Sequence, residues 1–136
     1  MAKLWAAIVT PYEQVVRSEV DMVMAPSAQG EIGVLPSHQP LLAHLQEGPV
    51  TLRAGNQTDL YAISGGFIEV DRDKVTILAE TAEPAAAIDT SRAEAALREA
   101  QQKLGELDPL GDAYAEQQSR IRRARARLQV AEQSRG

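Results

Sequence analysis

From Lys3 to Ala82 apolar side chains recur at intervals of two, in runs of four to eight residues broken by turn formers. That period belongs to extended strands. Leu4, Ala6 and Ile8 alternate with Trp5, Ala7 and Val9; both sets are apolar, which predicts a first strand covered on both faces. Val16, Ser18 and Val20 alternate with Val15, Arg17 and Glu19, the pattern of a half-solvated strand. Met22-Val23-Met24 runs out at Pro26-Ser27, and Val50 to Arg53 precede Ala54-Gly55-Asn56, a hairpin signal. Leu60 to Ile63 and Phe67 to Val70, separated by Ser64-Gly65-Gly66, predict two further strands, and Val70 to Val75 another hairpin. Short strands without intervening helices imply an antiparallel β-sandwich or flattened barrel over residues 1–84.

The period changes to about 3.6 beyond Glu83-Pro84. Asp89 is a good helix N-cap, with Ser91-x-x-Glu94 as an alternative capping box. Ala93, Ala96, Leu97, Ala100, Leu104 and Leu107 fall on one narrow stripe. Asp108-Pro109-Leu110-Gly111-Asp112 stops that helix and opens a second, with Asp112 as N-cap. Tyr114, Ile121, Ala124, Leu128 and Ala131 are its expected apolar stripe. Residues 88–136 therefore read as an antiparallel two-helix hairpin. Its stripes are too poor in bulk to be stable alone, so it must borrow surface from the sandwich or from another protein.

Charge divides the chain the same way. Residues 1–84 carry five basic and eleven acidic side chains (net −6), and residues 85–109 three and five (net −2). Residues 110–136 carry six and three, a net +3, so an acidic body ends in a basic tail that seeks an acidic partner or a phosphate. The basic run is Arg120, Arg122, Arg123, Arg125 and Arg127; on a helix Arg120, Arg123 and Arg127 share a flank, while Arg122 points away from the stripe. It can be a solvated face, a nucleic-acid contact, or a site for an acidic protein surface or nucleotide phosphates. The acidic body and the lack of interleaved aromatics count against nucleic acid. Guanidinium geometry favours the third reading.

Catalytic apparatus is not legible. His38 and His44 are the only histidines, and neither has a partner at nucleophile or metal spacing. No P-loop, dinucleotide turn or paired-acid site occurs, and the absence of Cys excludes disulfides and thiolate metal sites. No apolar run reaches the length of a membrane span, and Thr10-Pro11 cuts the apolar start short of a signal peptide. A soluble intracellular chain is expected.

The densest local signal is Gly30-Glu31-Ile32-Gly33-Val34-Leu35-Pro36-Ser37-His38-Gln39-Pro40-Leu41-Leu42. Gly30 and Gly33 predict a tight reversal around Glu31 and Ile32, and Pro36 and Pro40 stiffen the following loop. Val34, Leu35, Leu41 and Leu42 flank that loop with core-type side chains. This stretch resembles the signature of the ε subunit of F-type ATP synthase, the counterpart of the mitochondrial δ subunit. Ser64-Gly65-Gly66-Phe67-Ile68-Glu69-Val70, Val75-Thr76-Ile77-Leu78-Ala79-Glu80 and Ile88-Asp89-Thr90-Ser91-Arg92-Ala93 agree in order and spacing, so the resemblance covers nearly the whole chain.

The resemblance implies a non-catalytic subunit of the central stalk of a proton-coupled rotary enzyme, peripheral on the energy-coupling membrane. The sandwich would join the γ subunit to the ring of c subunits, with Glu31 and His38 at that interface. The hairpin would reach the catalytic α/β assembly through Arg120, Arg123 and Arg127 and inhibit ATP hydrolysis. No cofactor is required, but some bacterial members bind regulatory ATP. The resemblance carries that site onto Glu83, Ile88, Asp89, Arg92, Ala93, Arg123 and Arg127. One position departs from the pattern: Arg98 precedes Glu99, where the family arginine would stand, a shift of roughly 100° around a helix. The alternative is a free regulatory module whose hairpin closes over ATP.

Overall fold

The computed structural model describes residues 2–135. Eight strands come first: β1 Leu4–Val9, β2 Gln14–Val20, β3 Met22–Ser27, β4 Gly30–Val34, β5 Leu41–Ala54, β6 Gln57–Asp71, β7 Lys74–Ala79 and β8 Ala82–Pro84. A 3-10 turn, Ala85–Ala87, leads to helices α1 Thr90–Leu104 and α2 Asp112–Arg135. The strands pair in the order β2-β1-β7-β6-β5-β3-β4, with β8 on β6. The sandwich is antiparallel as expected apart from one pair: β1 runs parallel to β7.

Strands β5 and β6 tie the sandwich together, pairing along most of their length from Leu41–Val70 to Ala54–Gln57. β6 changes its second partner midway: Tyr61 to Ile63 pair with β8, and Gly66 to Asp71 pair with β7. Ser64-Gly65-Gly66, expected to separate a pair of strands, is instead an irregularity inside one, where φ reaches +97° at Gly65 and +141° at Gly66. The β6–β7 reversal is a two-residue turn with φ of +52° at Arg72 and +60° at Asp73. Positive φ at both central residues is the type I′ condition that matches strand twist.

The core forms on the alternating faces: Leu4, Ala6 and Ile8 of β1 meet Val23, Leu45, Leu52, Ile63, Ile68, Val70 and Ile77. The other face of β1 is not covered. Trp5 is 42% exposed, and the Arg17 guanidinium lies 4.8 Å above its ring. A cation over an aromatic face suits a wet surface as well as a buried one. The signature loop also differs from expectation. The reversal precedes Gly30, which closes the β3–β4 hairpin at φ +124°, while Glu31, Ile32 and Gly33 lie along β4. Val34 is buried and Leu41 partly so, but Leu35 and Leu42 face solvent.

Asp89 caps α1: its Oδ1 accepts the Arg92 backbone N–H at 3.1 Å. α2 lies between α1 and the sandwich and packs on β5 and β6. Its buried residues are Gln117, Ile121, Ala124, Ala126, Val130 and Ala131. At about 100° per residue, Gln117, Ile121, Ala124 and Ala131 form one face, and Ala126 and Val130 the opposite one. The second face meets Ala62, flanked by Leu60, Ala85 and Ile88. The single stripe read from the sequence missed Ala126 and Val130 because a helix packed on two sides has no one apolar side.

Candidate functional site

The polar chemistry of the chain collects where α2 meets the sandwich. Glu47 stands at the middle of β5, one residue before Gly48, whose added Cβ would come 2.8 Å from the Pro26 side chain. Its backbone is therefore tightly held, and only 10% of its side chain is exposed. Glu47 accepts the Ser119 hydroxyl at 2.7 Å and the Arg122 Nε at 2.9 Å. Burial works to raise its pKa, but the Ser119 and Arg122 hydrogen bonds outweigh it, so the carboxyl sits below its ordinary value. Arg122 thus points away from the Ile121, Ala124 and Ala131 stripe, as expected, and turns to the sandwich. The sequence offered no signal for Glu47 beyond an acid beside Gly48-Pro49.

A second contact lies on the other side of the helix. Arg127 Nε donates to Glu83 Oε1 at 2.6 Å, linking α2 to β8. Arg122 and Arg127 are five residues apart, about 140° around α2, and flank the face that carries Ala126 and Val130. Glu83, Asp89, Arg92, Ala93 and Arg127 line one groove of about 390 Å³ with Ala87 and Ala96. The fold thus gathers five of the seven residues to which the resemblance assigns nucleotide contact. Ile88 packs instead in the apolar cluster around Ala62.

Arg123 and Arg127 share a neighbouring groove of about 220 Å³ between the helices with Arg120, Gln117, Glu99 and Lys103. Arg120 pairs with Glu116 of its own helix at 3.0 Å. The Arg123 Nε and Gln117 Oε1 atoms are buried without a protein partner. Glu99 pairs with Lys103 at 2.9 Å, and that hydrogen bond lowers its pKa. Glu99 therefore brings a negative charge into a groove whose other charged residues are three arginines and a lysine.

Glu31 and His38 stand apart from these grooves. Glu31 is exposed on β4, and His38 is half-buried in the loop before β5, with its Nδ1 2.6 Å from the Gln39 carbonyl. Asp73 Oδ1 accepts the Ser37 N–H at 2.7 Å, which ties this loop to the β6–β7 turn. Among the described residues no group of three His, Cys, Asp or Glu is placed to hold a metal ion. No described helix is long and apolar enough to cross a membrane.

Comparison with known proteins matches both halves in order. Residues 3–85 match the family described as ATP synthase, Delta/Epsilon chain, beta-sandwich domain, and residues 87–132 match its long alpha-helix domain. The ATP synthase epsilon chain of Geobacter metallireducens is 44% identical over 132 residues, 97% of this chain and 96% of that one. Epsilon chain 2 of Syntrophotalea carbinolica is 44% identical over 129 residues, 95% of this chain and 94% of its own. A chain in the cryo-EM structure of the Euglena gracilis mitochondrial ATP synthase, OSCP/F1/c-ring, superposes with a TM-score of 0.83 at 25% identity. That superposition covers 97% of this chain and 82% of the other. With the sandwich and the hairpin each matched over nearly their full length, this chain belongs to the delta/epsilon chain family of ATP synthase.

Proposed function

We propose that this chain works in the central stalk of a proton-coupled F-type ATP synthase, joining the γ subunit to the c-ring through its sandwich and restraining ATP hydrolysis through its hairpin. It performs no chemistry itself. It is peripheral on the energy-coupling membrane, on the side that carries the catalytic assembly. Glu31 and His38 belong to the surface offered to γ and the ring. When the hairpin leaves the sandwich, Arg120, Arg123 and Arg127 pair with acidic residues of the α/β assembly and resist rotation in the hydrolysis direction.

One observation carries this reading: the hairpin is lightly held. The sandwich has a core drawn from seven strands, whereas the second cluster, where α2 docks, has only Ala62, Ala126 and Val130 fully buried. A unit docked through so little apolar area can exchange one surface for another at modest cost. The test is ATP hydrolysis by the reconstituted complex with residues 88–136 deleted. The complex should still assemble and couple to protons, and hydrolysis should rise by about fivefold or more, the low end of typical coupling between sites. An unchanged or lower rate would make the hairpin packing only.

The groove of Glu83, Asp89, Arg92, Ala93 and Arg127 favours a second reading, regulatory ATP that holds the hairpin closed. At about 100 times its dissociation constant, ATP would stabilise that state by ~2.7 kcal/mol. ATP should raise the melting temperature of the isolated chain, and Arg92→Ala should abolish the rise. No heat on calorimetric titration with ATP would leave the stalk role alone.

A further inference from the structure

We propose that Glu47 and Glu83 are internal decoys: in the docked state the sandwich supplies the acidic groups that α2 would otherwise seek on a partner. The inference rests on the reading of the hairpin as a brake, and it names the contact that keeps the brake off. Glu47 takes both Ser119 and Arg122, and Glu83 takes Arg127. Arg120 is held by Glu116 within the helix. Three of the six basic residues of α2 are thereby neutralised while the hairpin is docked, two of them by carboxylates of the sandwich.

The geometry makes Glu47 the principal clamp. Its side chain is 10% exposed against 34% for Glu83, so its bonds are the less screened by water. It is fixed on β5 beside the tightly packed Gly48, so it cannot follow the helix as it leaves. Ser119 and Arg122 are three residues apart and so reach Glu47 from one side of α2. Glu83 grips the other side, and between them lies the small apolar face of Ala126 and Val130. Such an arrangement fixes the rotation of α2 on the sandwich while adding little apolar area. Release therefore unmasks Arg122 and Arg127 in one step. A partner competes with Glu83 for the Arg127 guanidinium, while Glu47 holds the helix down through Ser119 and Arg122, so the stronger the clamp, the weaker the brake.

The chain has no Cys, so a single thiol reports the opening. Val130→Cys places it at a position with 0% exposure under the docked helix. Its labelling rate by a thiol reagent follows the population of the released hairpin. Adding Glu47→Gln should speed labelling about tenfold, the effect of losing a charge-assisted hydrogen bond at the low end of its range. Arg122→Ala should do the same, and the exchange of charges in Glu47→Arg with Arg122→Glu should restore much of the protection. A thiol in the sandwich core, Val23→Cys, should label at an unchanged rate, which separates release from global unfolding. Equal labelling at position 130 with and without Glu47→Gln overturns the clamp. In the reconstituted complex, Glu47→Gln should lower ATP hydrolysis, opposite to deletion of the hairpin. Faster labelling with unaltered hydrolysis would leave the clamp standing and remove the brake reading.

Discussion

At Gly66 φ is +141°, and a Cβ placed there would stand 1.9 Å from the Leu78 carbonyl oxygen and 3.0 Å from the Ala79 Cα. Both atoms are backbone of the paired strand β7, so neither can swing aside. Gly66→Ala combines a steric clash with a backbone conformation that side chains disfavour, and it should cost about 3 kcal/mol or more. Urea unfolding of the variant should show a much lower midpoint; a loss under about 1 kcal/mol would mean that β6 can straighten there. The glycine pair was legible as a special backbone site, yet its effect on the chain was not. Read alone, Ser64-Gly65-Gly66 says that regular pairing is interrupted. Whether the chain reverses or continues depends on β7 and β8, the strands that meet there. Asp89 is the opposite case. Its capping role depends only on the next three residues, and its Oδ1 accepts the Arg92 N–H as the local pattern predicts. Glu47 was invisible for the same reason that Gly66 was ambiguous, since its partners lie 72 and 75 residues away.

Among whole elements, legibility follows how many faces are buried. β2, with one face to solvent, alternates openly and was readable. β1 was expected to be covered on both sides, but a stacked Arg17 rather than a second layer shields Trp5. β5 and β6 are 14 and 15 residues long, and the sequence broke them up because they cross between regions with different neighbours. α1 has one buried side, marked by Ala93 and Ala100, and its stripe was found. α2 has two, and its basic residues flank the face toward the sandwich. The arginine run was legible as a site for acidic groups or phosphates, but not that Glu47 and Glu83 of the sandwich would supply two of the acids. The residues joined by resemblance to nucleotide contact were named from the sequence, but the meeting of five of them in one groove depends on β8 delivering Glu83 to Arg127.

Taken whole, the molecule is a β-body that closes on itself and a hairpin that leans on it. Every buried member of the main core lies between Leu4 and Ala79, and β8 and the 3-10 turn finish the sheet before α1 begins. Removing the hairpin uncovers Ala62 and its neighbours, but it takes no side chain out of the main core. Glu47 and Glu83 would lose their partners at positions that water then reaches, so neither is left as a buried unpaired charge. Residues 1–87 alone should therefore fold cooperatively. Circular dichroism of that fragment should show strand signal and a sharp melting transition, and the fragment should still bind γ. A broad transition would mean that α2 completes the sandwich core. The fragment also bears on the clamp. If its melting temperature lies close to that of the full chain, docking contributes little to the stability of the body. The small apolar contact and the two carboxylates would then account for docking without help from the core. The hairpin would be free to respond to a competing acidic surface while the sandwich stays intact.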